Sequence, residues 1–215
     1  MMPLLLSPHQ LAAKQPVRQA VTQTARAFRM GPQLHPNRAA WEFYPTPPSA
    51  THALLNAERF NGSIWEPACG QGHISKVLEA HGYGVHSTDL VNHGYGSTGH
   101  DFLEAKDAQA TNIVTNPPYG RGLADAFLRH ALELTAATGG KVAFLCAIQS
   151  LCHPLRHGLY TANPPAVIYA LDDCQCWPNG VPQPASSAIA KQRYCWMVWL
   201  HGHQGGTRFE WLTTG

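Results

Sequence analysis

Charged side chains are scarce in this 215-residue sequence. Asp, Glu, Lys and Arg together make up 13% of it, about half of the roughly 25% that is typical of soluble domains. This scarcity argues against a coiled coil and against a disordered chain that its own charges keep extended. The hydrophobic fraction of 44% is close to that of globular proteins. The chain can therefore bury a sizeable core, and we expect one main domain.

Long apolar runs are also missing. No stretch approaches the roughly 20 apolar residues that a membrane-spanning helix needs. The apolar start over residues 1–6 is short and uncharged, unlike a secretory signal. The sequence therefore predicts a soluble, cytoplasmic protein with no membrane partner.

The six cysteines lack a Cys-x-x-Cys pair. The closest approaches to metal-ligand spacing are Cys174-x-Cys176 and Cys152-His153, and neither matches a zinc pattern. Cys146 lies in an apolar run that favours a buried, reduced thiol. We expect a reducing compartment and no metal site.

Acidic residues are absent from two basic segments, although the net charge is only +2. The first 40 residues carry only basic charges, at Lys14, Arg18, Arg26, Arg29 and Arg38. The stretch 183–208 likewise contains Lys191, Arg193 and Arg208 without an acid. A net charge this small creates no global positive field. The two segments fit either a solvated surface or a shallow rim that binds a polyanion.

Apolar periodicity predicts alternating strands and helices. Seven strands are expected, at residues 63–66, 84–89, 112–116, 141–146, 166–171, 194–200 and 209–212. Helices are expected over 8–30, after a cap at Ser49 or Thr51, and over 73–81 and 123–137. This alternation predicts an α/β fold with a mostly parallel seven-stranded sheet and helices on both faces.

The domain boundaries follow from the same pattern. Residues 1–40 form a basic N-terminal arm or helix, and residues 41–215 form the domain. An irregular insertion is expected around 147–192, because proline-containing sequence interrupts the alternation there. A loop of this length in a compact domain is usually functional or mobile.

A glycine-bearing turn, Glu66-Pro67-Ala68-Cys69-Gly70-Gln71-Gly72, follows the first predicted strand. Its two glycines allow a sharp bend and close approach of the backbone to a ligand. Asp89 ends the next strand, where an acid can accept hydrogen bonds from ribose hydroxyls. The third glycine of a dinucleotide motif is replaced by Ser75, and no Walker lysine follows. The pattern favours a nucleoside without phosphates.

A second motif, Asn116-Pro117-Pro118-Tyr119, follows the strand at 112–115. The prolines stiffen the end of the strand and remove two amide donors. The Asn116 amide and a carbonyl of the proline pair remain as acceptors that can orient an exocyclic amino group. Tyr119 supplies a ring on which a planar group can stack. The motif therefore predicts attack by an amino group on an electrophile.

Together these motifs resemble those of S-adenosylmethionine-dependent amino-methyltransferases, and most closely the DNA adenine-N6 methyltransferases of the Asn-Pro-Pro-Tyr type. The resemblance covers residues 41–146 and implies a Rossmann-like class I methyltransferase fold. It implies catalytic roles for Asn116, Pro117, Pro118 and Tyr119. It implies that S-adenosylmethionine contacts Tyr44, Pro45, Thr46, Pro47, Glu66, Ala68, Gly70, Gly72, Asp89, Asp101, Phe102 and Asn116.

The sequence departs from that family by lacking a separate target-recognition domain. DNA, duplex or single-stranded, is the substrate that the resemblance implies, and few residues remain to read its bases. We therefore expect relaxed or short-site specificity, with phosphate contacts from Arg121, Lys191 and Arg193. Two alternatives stay open: methylation of RNA adenine or guanine or of a protein glutamine amide, and a non-catalytic nucleic-acid-binding relative.

Overall fold

The computed structural model describes residues 39–215. The basic segment 1–38, with the helix expected over 8–30, lies outside the described residues. The described helices are α1 (Pro48–Ala57), α2 (His73–Ala80), α3 (Leu123–Thr135) and α4 (His157–Ala162). The described strands are β1 (Ile64–Glu66), β2 (Val85–Asp89), β3 (Ser97–Thr98), β4 (Asn112–Thr115), β5 (Val142–Ala147), β6 (Val167–Leu171), β7 (Tyr194–Trp199) and β8 (Arg208–Leu212).

The strands of residues 39–215 form one sheet of eight in the order β3-β2-β1-β4-β5-β7-β6-β8. Only β7 runs antiparallel to its neighbours within this sheet. The sheet is thus mostly parallel, as predicted. It has one strand more than the seven expected, because β3 contains only two exposed residues and leaves no apolar pattern to detect.

Helices cover both faces of the sheet, and the pleat of β5 divides its side chains between two cores. Val142, Phe144 and Cys146 pack in a cluster with α3. The intervening Ala143 and Leu145 pack on the other face, in a cluster with α1 and α2. This alternation follows from the two-residue repeat of a strand. The continuous apolar run of β5 is therefore explained by burial on both faces.

One local expectation, the capping of the first helix, changes. The helix α1 starts at Pro48, and its N-cap is Pro47, with no side-chain cap from Ser49 or Thr51. Proline serves there because its fixed φ suits the first turn and its missing N–H needs no partner. The segment 147–192 contains β6 and the short helix α4 besides irregular chain. None of the helices described in residues 39–215 has the length and apolar character needed to cross a membrane.

Candidate active site

The predicted site residues converge on one edge of the sheet. The glycine turn follows β1, Asp89 ends β2, and Asn116 follows β4. Strand β1 lies between β2 and β4, and all three run parallel. Their carboxyl ends therefore meet at the same edge, where α/β proteins bind ligands. The turn and the Asn116 amide thus lie at one rim, as the sequence predicts.

The glycine turn is held against Asp89. Gly70 has a φ of 53° and Gly72 a φ of 77°, which is left-handed backbone that favours glycine. The Gly70 N–H donates to Asp89 Oδ2 at 2.8 Å. A Cβ atom on Gly70 would lie 2.8 Å from the Phe43 ring, so the site requires glycine for space as well.

Asp89 is a buried carboxyl with two backbone donors. Besides Gly70, the Val91 N–H donates to Asp89 Oδ1 at 2.8 Å. Burial raises the pKa of Asp89, while the two backbone hydrogen bonds act in the opposite direction. Each carboxylate oxygen can accept more than one hydrogen bond. Asp89 can therefore also bind the hydroxyls of a ribose.

Glu66, the last residue of β1, is linked to the first turn of α2 by hydrogen bonds. Its Oε2 accepts hydrogen bonds from the Ser75 N–H at 2.9 Å and from the Ser75 hydroxyl. Burial raises the pKa of Glu66 to about 8, against the effect of these hydrogen bonds. The side chain is therefore largely protonated at neutral pH. Ser75 thus contributes a polar contact at the position where a dinucleotide motif carries its third glycine.

The Asn116 amide is fixed by hydrogen bonds on both sides. Its Nδ2 donates to the Tyr44 carbonyl oxygen at 2.9 Å and to Thr46 Oγ1 at 3.1 Å. Its Oδ1 lies 2.7 Å from the Tyr119 hydroxyl. An amide oxygen has two lone pairs. Asn116 can therefore accept a further N–H from a substrate while Tyr119 remains in place.

The Tyr119 ring does not line the main cleft, as a ring that stacks on a substrate in that cleft would. Its hydroxyl lies 2.6 Å from the Leu145 carbonyl oxygen as well as near Asn116, and its single proton serves one acceptor at a time. Burial raises the pKa of Tyr119 well above its usual value, so the hydroxyl stays protonated. The ring lines a small cavity beside the Asp125–Arg156 ion pair, whose atoms lie 2.6 Å apart. Stacking of a base on Tyr119 stays a prediction.

A cleft of about 850 Å³, part of it open to solvent, joins the two motifs. Eleven predicted residues line it: Tyr44, Pro45, Thr46, Glu66, Ala68, Gly70, Asp89, Asp101, Phe102, Asn116 and Pro118. The other predicted residues of the two motifs and the upstream segment, Pro47, Gly72, Pro117 and Tyr119, lie outside the lining.

Asp101 and Phe102 shape the cleft from the far side. Asp101 Oδ1 accepts from the Leu103 N–H at 3.0 Å and so caps a short 3-10 turn. The Phe102 ring is only 2% exposed and packs edge-on against Trp65, with ring centroids 5.1 Å apart. Phe102 therefore offers one limited apolar surface to a ligand.

Sequence reasoning missed Glu42. This buried residue has a φ of 58°, lines the cleft and accepts a hydrogen bond from the Gly120 N–H at 3.2 Å. It thereby joins the segment before the sheet to the loop that contains the Asn-Pro-Pro-Tyr motif. A left-handed glutamate has no sequence signature, because that conformation is uncommon outside glycine, asparagine and aspartate.

Two of the predicted nucleic-acid contacts lie at the same edge of the sheet. Lys191 and Arg193 are exposed immediately before β7. The Arg193 carbonyl accepts from the Ile148 N–H at 2.8 Å, next to the end of β5. The guanidinium donates to the Gln192 carbonyl at 2.8 Å. Arg121 lies in the turn Gly120–Gly122 that follows the catalytic motif. Contact with nucleic acid stays a prediction for all three.

The loop after β6 closes onto the segment that precedes the sheet. The Asn179 N–H donates to the Phe43 carbonyl at 3.0 Å. Cys174 and Cys176 are buried in this loop, with their sulfur atoms 4.0 Å apart.

All six cysteines fall within residues 39–215 and are free thiols. No group of three or more potential metal ligands occurs within that range.

Comparison with solved structures identifies the fold. A Listeria monocytogenes protein provisionally assigned as a class I S-adenosylmethionine-dependent methyltransferase matches with a TM-score of 0.55 and 14% identity, over 91% of this chain and 72% of its own. The fold is that of class I methyltransferases.

Two further structures share this class I methyltransferase fold. A modification subunit of a provisionally assigned type I restriction enzyme from Vibrio vulnificus has a TM-score of 0.50 and 15% identity, covering 78% of this chain. This chain spans only 46% of that subunit. A provisionally assigned RNA methyltransferase from Pyrococcus horikoshii has a TM-score of 0.50 and 12% identity, over 85% of this chain and 98% of its own. No family model and no curated protein sequence matches the chain.

Proposed function

We propose that this protein transfers a methyl group from S-adenosylmethionine to the N6 amino group of adenine in DNA. One observation carries the proposal: the glycine turn with Asp89 and the Asn116 acceptor open into the same cleft. A methyl transfer needs the donor and the acceptor nitrogen within reach of each other, and this cleft brings their predicted binding groups together.

The residues of the cleft fit the cofactor. Asp89 presents a carboxylate beside a glycine turn that leaves room for a ligand. Asp101 and Phe102 line the far side, and Tyr44 to Thr46 line the near side. When bound, S-adenosylmethionine supplies an electrophilic methyl group. The fold alone does not select a substrate, so the choice of DNA depends on the Asn-Pro-Pro-Tyr motif and on the upstream Tyr44–Pro47 segment.

Asn116 performs the central task in this mechanism. Its Oδ1 accepts one N–H of the adenine amino group, and a carbonyl of the proline pair accepts the other. The two acceptors turn the nitrogen lone pair toward the methyl group. Because the amine would attack as a neutral nucleophile, no general base is needed before transfer. The N–CH3 bond would form as the S–CH3 bond of S-adenosylmethionine breaks, and the methylated nitrogen would then lose one proton to solvent. The catalytic contribution is mainly positioning.

The test is a methyl-transfer assay that offers DNA, RNA and protein in parallel. S-adenosylmethionine carries a radioactive methyl group, and the DNA includes duplexes with scrambled flanking sequences and single strands. We expect label in DNA, with relaxed or short-site specificity. Asn116→Ala should lower the rate at least 100-fold, whereas Asn163→Ala, at the end of α4, should leave it unchanged.

Three results would contradict the proposal. Label confined to RNA would move the substrate to RNA adenine or guanine, and label in protein would indicate a glutamine amide. Absence of both transfer and S-adenosylmethionine binding would favour a non-catalytic nucleic-acid-binding relative. A strict requirement for a long DNA site would refute the expected specificity.

A further inference from the structure

We infer that Thr46, assisted by the Tyr44 carbonyl, is a positioning residue that fixes the orientation of the catalytic Asn116 amide. This inference rests on the proposed function, because it assigns Asn116 Oδ1 as the acceptor for the substrate amine. The contacts that carry it link residues 70 and more positions apart in the chain. Thr46 is 3% exposed and lines the cleft, and its hydroxyl lies 3.1 Å from Asn116 Nδ2.

The orientation of an asparagine amide must be inferred from its partners, since its oxygen and nitrogen ends have the same shape. The Tyr44 carbonyl oxygen has no proton to donate, so the group 2.9 Å from it must be the Asn116 nitrogen. The Tyr119 hydroxyl, by contrast, can donate or accept and cannot select an orientation. The segment before the sheet therefore decides which end of the amide faces the substrate.

The Thr46 hydroxyl is held in the accepting role that this arrangement requires. Asn116 Nδ2 is a donor, so Thr46 Oγ1 accepts from it and must direct its own proton elsewhere. The Thr46 hydroxyl also acts on Cys176, where it opposes the Cys174 thiol and burial, which raise the pKa of Cys176 well above its ordinary value.

Both amide protons of Asn116 therefore form hydrogen bonds, one with the Tyr44 carbonyl oxygen and the other with the Thr46 hydroxyl. A lone pair of Oδ1 is left for the substrate. If the amide turned over, its nitrogen would face the adenine amino group, and two donors would oppose each other. The loop that carries Cys176 is itself attached to the segment before the sheet, through Asn179 N–H and the Phe43 carbonyl.

The test compares Thr46→Val and Thr46→Ala, which lack the hydroxyl, with Thr46→Ser, which keeps it. The first readout is the NMR spectrum of the ¹⁵N-labelled Asn116 side chain in the full-length protein, assigned by its loss in Asn116→Ala. In the wild type both amide protons should exchange slowly with water. In Thr46→Val and Thr46→Ala one of them should exchange at least tenfold faster, and in Thr46→Ser both should stay protected.

The second readout is steady-state kinetics with DNA, together with calorimetric titration of S-adenosylmethionine. Thr46→Val and Thr46→Ala should lower kcat about tenfold. The KM for DNA should stay within about twofold, and any change in the S-adenosylmethionine Kd should be smaller than the change in kcat. Thr46→Ser should restore kcat. Thr46→Ala keeps the test valid if the larger valine disturbs folding.

The inference and the proposed function can fail separately. Unchanged Asn116 amide exchange in both hydroxyl-free variants would overturn the positioning role, whatever the protein methylates. A loss confined to S-adenosylmethionine affinity would overturn it too, since Thr46 would then act on the cofactor. Failure of Thr46→Ser to restore kcat would also contradict it. If the wild type methylates no DNA, the proposed function fails while the amide spectrum still decides the role of Thr46.

Discussion

The buried carboxyl of Glu66 makes a quantitative prediction about folding stability. Burial raises its pKa from 4.5 to about 8, although Ser75 donates two hydrogen bonds to it. The unfolded chain loses this proton near pH 4.5, and the folded protein keeps it until about pH 8. Between these values the folded state binds more protons than the unfolded state. The free energy of unfolding therefore falls as the pH rises through this window.

The magnitude follows from the size of the shift. One proton held only by the folded state changes stability by about 1.4 kcal/mol per pH unit. Between pH 5.5 and 7.5 the loss from Glu66 alone is about 2.5 kcal/mol, after allowance for partial titration at both ends. Glu66→Gln has the shape of the protonated acid and does not titrate. The variant should therefore lack this component.

The assay is urea denaturation of the wild type and Glu66→Gln at pH 5.5, 6.5 and 7.5. The stability of the variant relative to the wild type should increase by about 2.5 kcal/mol across this range. Glu133→Gln, at an exposed position on α3, is the matched control and should run parallel to the wild type. Parallel curves for Glu66→Gln would refute the reasoning, because they would mean that the carboxyl is ionised in the folded protein throughout.

Two further substitutions test the geometry of the cleft. Gly70→Ala should destabilise the protein by more than the roughly 1–2 kcal/mol typical of left-handed backbone, because its Cβ also meets the Phe43 ring at 2.8 Å. Gly99→Ala is the control, with a φ of 79° and open space around the added carbon; equal thermal-melting losses would contradict the predicted clash. Asp89→Asn should weaken S-adenosylmethionine binding at least tenfold, measured by calorimetry, whereas the exposed Asp107→Asn should not. Wild-type affinity in Asp89→Asn would remove Asp89 from the site.

Most of the fold was predictable because the strands and helices that build the core have regular apolar patterns. β5 shows this well, since its unbroken apolar run reflects burial on both faces. β3 and α4 were not predictable, because two exposed residues and six mostly exposed ones leave no comparable pattern. Capping of α1 was predicted wrongly, since the helix begins at a proline with a fixed φ and no side chain caps its first N–H groups.

The site was predictable where its residues follow strands directly. The parallel order β2-β1-β4 brings Gly70, Asp89 and Asn116 to one edge, and strand-end position alone indicates this. Contacts from the segment before the sheet could not be predicted. The hydrogen bonds of Asn116 with Thr46 and of Glu42 with the Gly120 N–H span 70 and 78 positions. Such pairings depend on tertiary packing rather than on local pattern.

The most direct measurement of the central claim is nucleoside mass spectrometry of mixed-sequence DNA after incubation with the protein and S-adenosylmethionine bearing a trideuterated methyl group. The account predicts N6-methyldeoxyadenosine carrying that label, in an amount that depends on Asn116. Labelled cytosine, label in added RNA or protein alone, or adenine methylation that survives Asn116→Ala would contradict it.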